Sequence, residues 1–283
     1  MSKAQQGNCE QAALWNGPSG SAWVEMQDLL DRMLAPFEML VSQEAFPGEG
    51  GRVLDVGCGA GATTISMARR VGPTGHCVGV DISEPLVTVA KERAINEKLG
   101  AVQFVQADAQ TYPFEPGRFD SVMSRFGVMF FDDPQAAFVN IRCAARPDAK
   151  LAFVAWRSPA ENPFMTTAAR AAEPLLPNLP TPDVGAPGQF AFADEGRVRR
   201  ILNASDWKNI DVRPIDVTGN MAEQELLTYV TKLGPVGAAL RDANVDEATR
   251  TRTVSVVRAA FEPYIQNGIA RFTMACWLVS AHA

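Results

Sequence analysis

Three glycines at alternate positions, Gly57, Gly59 and Gly61, follow the run Val53-Leu54-Asp55-Val56 and lead into a helix-forming stretch; two further acids, Asp81 and Asp108, each end a later apolar run. A strand closing in such a loop lets main chain approach a ligand closely, and the helix start beyond it offers unpaired N–H groups. Read as Gly57-Cys58-Gly59-Ala60-Gly61-Ala62, the loop also satisfies the dinucleotide pattern, so the glycines alone leave dinucleotides and other nucleosides open. Asp55 points away from a pyrophosphate, which a carboxylate would repel, and toward a ligand carrying an ammonium or sulfonium charge. Asp81 is suited to accept both hydroxyls of a ribose, and Asp108, with the backbone of Ala109 beside it, to take a hydrogen bond from an adenine amino group.

The elements that must hold these residues alternate between about Arg52 and Trp156. VLDV, CVGVD, VQFVQ, FDSVMS and LAFVAW read as strands; TTISMARRV, PLVTVAKERAINEKLG and PQAAFVNIRCAA read as helices. That alternation implies right-handed crossovers and a mainly parallel sheet buried on both faces. Upstream, Trp23, Met26, Leu30, Met33, Leu34 and Phe37 recur at three- and four-residue intervals, an amphipathic helix entered from the turn Gly17-Pro18-Ser19-Gly20 and kinked or restarted at Pro36. Downstream come a helix over DEGRVRRILNAS, a strand over IDVRPIDV, a helical region from about Met221 to Asn267 and a closing strand, RFTMACWLVSA. The expected architecture is a Rossmann-like, doubly wound sheet of seven strands with the last antiparallel. Residues 1–50 form an N-terminal helical lid and 51–283 the main domain, with cap insertions at about 158–193 and 221–267.

The 283 residues are 47% hydrophobic and 20% charged, an ordinary globular composition, with a net charge of −6. Basic residues are scattered, with no stripe to track a phosphate backbone, so nucleic acid is a poor partner. No apolar run reaches signal-peptide or membrane-spanning length, which predicts a cytoplasmic protein without a membrane association. Five cysteines at unrelated spacings predict reduced thiols, with neither a disulfide framework nor a metal site, and Cys143 reads as a core thiol. Asp132-Asp133 before Pro134 reads as a helix N-cap rather than half a magnesium site.

These residues resemble the class I S-adenosylmethionine-dependent methyltransferases. Asp55, Gly57, Cys58, Gly59 and Gly61 match that family's first motif, Asp81-Ile82 its ribose-binding acid, and Asp108-Ala109 its adenine-contacting pair. Phe119 to Phe131 resembles the fourth motif, whose main chain at Ser124, Arg125 and Phe126 would line the cofactor. The segment Trp15-Asn16-Gly17-Pro18-Ser19-Gly20-Ser21-Ala22-Trp23 extends the likeness to small-molecule enzymes related to the ubiquinone and menaquinone methyltransferases, and implies that Trp15 and Trp23 close over S-adenosylmethionine. The implied activity is methyl transfer to a small organic acceptor, aromatic, quinol or polyketide-like, in small-molecule biosynthesis that includes secondary metabolism. A homodimer is compatible with it.

Neither histidine suits a general base: His76 precedes the second strand, at the end opposite the glycine loop, and His282 follows the last strand. Glu161, Asp132 or a tyrosine are the remaining candidates, and catalysis by proximity and orientation is expected to dominate. SRFG stands where methyltransferases acting on adenine or glutamine amino groups carry N/D-P-P-Y. Met129, Phe130, Trp156, Phe164, Phe190 and Phe192, with Arg157 as one guanidinium, are the expected lining of an apolar acceptor pocket. An NAD-dependent oxidoreductase and a non-catalytic cofactor-binding module are the alternative readings.

Overall fold

The computed structural model describes residues 8–181 and 184–283; residues 1–7 of the expected lid and 182–183 of the first insertion lie outside the described residues. The chain opens on three helices, α1 (Cys9–Trp15), α2 (Pro18–Glu25) and α3 (Gln27–Glu44). The stretch Gly17 to Gly20, expected as a turn, is mostly helix, because Pro18 at the first position of α2 presets the helical φ. Gly20 has no room for a side chain: a Cβ there would sit 1.9 Å from the Trp15 carbonyl oxygen, so α1 and α2 can meet only over a glycine. Helix α3 runs on through Pro36 and buries Leu30, Leu34, Phe37 and Val41. Each such side chain is worth roughly 1.5–3 kcal/mol before conformational entropy is counted.

The core follows as β1 (Arg52–Val56), α4 (Ala62–Val71), β2 (His76–Asp81), α5 (Glu84–Asn96), β3 (Val102–Gln106), β4 (Phe119–Arg125), α6 (Pro134–Ala144) and β5 (Ala145–Trp156). Then come α7 (Pro163–Ala172), α8 (Glu195–Ala204), β6 (Lys208–Ala222), α9 (Glu223–Lys232), α10 (Gly234–Leu240), α11 (Glu247–Ala260), β7 (Ile265–Gln266) and β8 (Ile269–His282). The main sheet has the order β3-β2-β1-β4-β5-β8-β6, with the two-residue β7 beside β8. Strands β1 to β5 pair in parallel, and β8 is antiparallel to β5, β6 and β7. The mainly parallel α/β sheet with an antiparallel last strand is therefore present, and its strand order reverses between β1 and β4.

Strands β6 and β8 outrun their expected bounds and pair from Lys208↔His282 to Ala222↔Ile269, carrying α9 to α11. Helices α2 and α3 are joined to α9 by ion pairs between Arg32 and Glu225 (2.5 Å) and between Lys232 and Glu25. Cys143 is exposed, contrary to expectation, because the buried stripe of α6 runs through Ala137, Phe138, Ile141 and Ala144 and leaves position 143 outside it. Among the described residues no helix is long and apolar enough to cross a membrane.

Candidate active site

At the switch point, β1 ends in the glycine loop and β4 in Phe126-Gly127, and the two backbones touch. A Cβ on Gly57 would lie 2.6 Å from the Gly127 Cα. Gly61 has φ +83° and caps α4, where an added Cβ would meet the Phe104 ring at 2.8 Å and Ala90 at 2.9 Å. Gly59 differs: its φ is +53°, yet a Cβ there would meet nothing within 4 Å. The first and third glycines are thus demanded by packing, and the middle one faces open space, where a ligand can come against main chain.

Asp81, at the end of β2, ties the loop down. Its two carboxylate oxygens accept from the N–H groups of Gly59 (2.8 Å) and Ser83 (2.9 Å). Burial pushes its carboxyl above the usual range, and those N–H groups draw it back. Asp108 accepts from the N–H groups of Asn8 (3.1 Å) and Gln110 (2.9 Å), so the N-terminal segment is fastened directly to it. The same segment is fastened again at Asn16, whose side chain donates to the Ile82 carbonyl (3.0 Å) and accepts from the Glu84 N–H (2.8 Å).

A cavity of about 470 Å³ opens at this point. Gly57, Cys58, Gly59, Asp81, Ile82, Asp108 and Ala109 form its core-side wall, and Arg125, Phe126, Met129 and Phe130 its β4 side. Trp15 meets Trp23 and Phe130 edge to face, at 5.5 and 5.3 Å between centroids, and both tryptophans line the cavity. Phe126, held at φ +65°, stacks on Trp156 with centroids 4.4 Å apart, and Trp156 and Phe164 continue the apolar wall. A backbone conformation so unfavourable for a phenylalanine persists only where its surroundings fix it, here by that stack and the Gly57–Gly127 contact. Arg125 brings a buried guanidinium: Asp31 of α3 lies 3.8 Å away, and Nη1 has no hydrogen-bond partner.

Several expected residues lie elsewhere. Asp55 does not reach the cavity; it is buried behind the loop, where Oδ2 accepts from the Thr64 hydroxyl at 2.6 Å and Oδ1 has no partner. Burial raises its carboxyl to about 7, against the pull of Thr64 and Arg125, so its part is in the support of the loop. Gly61 and Ser124 also lie behind the lining, Ser124 accepting from the Gly127 N–H at 3.1 Å. Arg157 turns away to pair with Glu161 and with Asp216 (2.8 Å), over the Trp277 ring, which removes both the expected guanidinium and the expected base from the pocket. Phe190 and Phe192 are buried outside it, Phe192 packing 6.2 Å from Phe138 and 6.0 Å from Phe153. Asp132 is exposed, off the cavity, while Asp133 caps α6 by accepting from the Ala136 N–H at 2.9 Å. His76 and His282 sit at the amino-terminal edge of the parallel strands, His282 opposite Lys150. Asp31, Tyr229, Leu233 and Val236 line the cavity without having been expected there.

Fold and site define a nucleoside-binding, doubly wound α/β protein with its ligand cavity at the switch point. The chain belongs to the methyltransferase-domain family, whose model matches residues 47–204, and it is an S-adenosylmethionine-dependent enzyme. It is 27% identical over 194 residues to the demethylmenaquinone methyltransferase of Staphylococcus saprophyticus, covering 66% of this chain and 82% of that one. The nocamycin O-methyltransferase of Saccharothrix syringae is 37% identical over 37% of this chain and 38% of its own. The ubiquinone/menaquinone biosynthesis C-methyltransferase UbiE of Ectopseudomonas mendocina is 35% identical over 41% and 45%. The chain therefore spans less than half the length of the last two. Among solved structures, the YcgJ protein of Bacillus subtilis superposes with a TM-score of 0.59 at 18% identity, over 88% of this chain and 98% of that one. An S-adenosylmethionine-dependent methyltransferase from Aquifex aeolicus gives 0.52 at 22% identity, over 71% and 93%.

The cavity suits S-adenosylmethionine on two observations. Gly59 leaves a cradle that any side chain would fill, and the orphaned Arg125 Nη1 offers a charged donor to a carboxylate.

Proposed function

We propose that the protein methylates a small, largely apolar acceptor of aromatic, quinol or polyketide-like type at an O, C or N nucleophile. The observation that carries this is the continuity of the glycine-loop cradle with an apolar wall of Met129, Phe130, Trp156 and Phe164 in one cavity. The names of its relatives, two quinone-pathway methyltransferases and a nocamycin O-methyltransferase, favour the same acceptor class. In this reading residues 1–50 act as lid, 51–283 as catalytic domain, and 158–193 and 221–267 as cap.

Bound S-adenosylmethionine would supply an electrophilic methyl group on a cationic sulfur. Asp81 would hold the ribose hydroxyls, Asp108 and Ala109 the adenine, and Arg125 the carboxylate, while Trp15 and Trp23 cover the nucleoside. With Glu161 and Asp132 turned away and both histidines remote, the chain contributes mainly orientation and exclusion of water. Incubation with methyl-labelled S-adenosylmethionine and a panel of reduced naphthoquinols, phenols and amines should label the quinols or phenols, unaffected by a chelator. Labelling of none of the panel by a protein that binds the cofactor would instead favour a non-catalytic module.

Asp81→Ala is expected to weaken S-adenosylmethionine binding by at least about a hundredfold in calorimetric titration, since it removes two charge-assisted hydrogen bonds at about 1.5–3 kcal/mol each and frees the Gly59 N–H. Retention of wild-type affinity would sink its ribose role.

A further inference from the structure

Tyr229 belongs to α9, in the cap, and lines the same cavity as Phe164 and Met165 of α7 and Leu233 and Val236 beyond it. The ring is partly buried, and its hydroxyl makes no hydrogen bond to any described residue. The other polar cap residues on this wall are differently placed. The Lys232 ammonium is taken by Glu25 and the Arg241 guanidinium donates one N–H to the Lys232 carbonyl oxygen at 2.5 Å, leaving the Gln189 amide and the other Arg241 N–H groups as the alternative donors. A phenol lining an apolar cavity without a protein partner costs free energy unless a ligand or water satisfies it.

We infer that the Tyr229 hydroxyl is the hydrogen-bond donor that receives the acceptor's oxygen and selects acceptors that bind as phenolates or enolates. This rests on the aromatic-acceptor reading above and adds to it how a nucleophile is made ready in a cavity whose expected bases point elsewhere. Burial pushes the Tyr229 phenol up to about 12, so it keeps its own proton at neutral pH and donates rather than abstracts. The acceptor's proton passes to water before transfer, and the donated hydrogen bond stabilises the oxyanion left behind. A hydrogen bond from a neutral phenol to a charged oxygen is worth about 1.5–3 kcal/mol, roughly a tenfold or greater preference for the ionised ligand.

The test uses 4-nitrophenol, whose phenolate is yellow, titrated with pH in the presence of the full-length protein loaded with S-adenosylhomocysteine. Wild type should bind it with an apparent pKa about one pH unit lower than in Tyr229→Phe, with about tenfold tighter phenolate binding. Gln189→Ala and Arg241→Ala should behave as wild type. Tyr229→Phe removes one oxygen from the side chain, and thermal melts of all three variants verify folding. An unchanged titration in Tyr229→Phe, or loss of the shift in Gln189→Ala or Arg241→Ala instead, overturns the assignment while leaving the aromatic-acceptor reading standing. Failure of wild type to bind 4-nitrophenol at all overturns both.

Discussion

Gly59→Ala is expected to leave the protein folded, at a cost of about 1–2 kcal/mol for a left-handed residue, and to weaken S-adenosylmethionine binding about tenfold or more. Gly57→Ala and Gly61→Ala reverse that balance. At Gly57 the new methyl would lie 2.6 Å from the Gly127 Cα, an atom of main chain that cannot swing aside. At Gly61 it would strike Phe104 and Ala90, both on elements packed against α4. Overpacking of about 1–3 kcal/mol then adds to the φ penalty, for a total loss of roughly 2–5 kcal/mol. Urea unfolding without ligand and calorimetric titration with S-adenosylmethionine, run on all three variants, separate the two kinds of glycine. Wild-type affinity in Gly59→Ala would show that nothing comes against the loop at its middle position.

The second large effect is a dependence of stability on pH that originates at Asp55. Folded, its carboxyl holds a proton up to about pH 7; unfolded, it releases it near 3.8. Between those values the folded state carries the extra proton, so stability falls as pH rises through the window and levels off above about 7. The full difference corresponds to about 4 kcal/mol, and the cause is the desolvation of a carboxylate whose Oδ1 has no donor. Asp55→Asn cannot ionise and can still accept from Thr64. Urea midpoints of the ligand-free protein at pH 5 and pH 8 should drop for wild type and change several-fold less for the variant. Parallel pH responses in the two proteins would place the titration elsewhere.

What could be read from the amino acids and what could not divides along physical lines. The parallel strands were legible because strands buried on both faces appear as apolar runs, and the acids ending β2 and β3 stand out after CVGV and VQFVQ. Asp55 was legible as present but not in its direction. Whether a strand residue faces ligand or helix depends on the packing of α4, which puts Thr64 against it. Arg157 and Glu161 carried a usable signal, since residues four apart with opposite charge pair readily, and here they do so off the cavity. Phe192 follows the proline-rich stretch, whose path back to Phe138 and Phe153 no local pattern dictates. Tyr229 was missed because α9 is brought to the cavity by its packing on α10, α11 and the β6–β8 ladder, a tertiary matter.

The pairs Arg32–Glu225 and Lys232–Glu25 join segments 193 and 207 residues apart in the chain. During synthesis neither contact can exist until the ribosome has released most of the polypeptide, and loop closure over such spans is slow. Strands β1 to β5 and the glycine loop are therefore made before α9 to α11, whereas β8, which joins β5 to β6, is made after them, so the parallel half of the sheet can form early and the two ion pairs and the antiparallel half only at the end of synthesis.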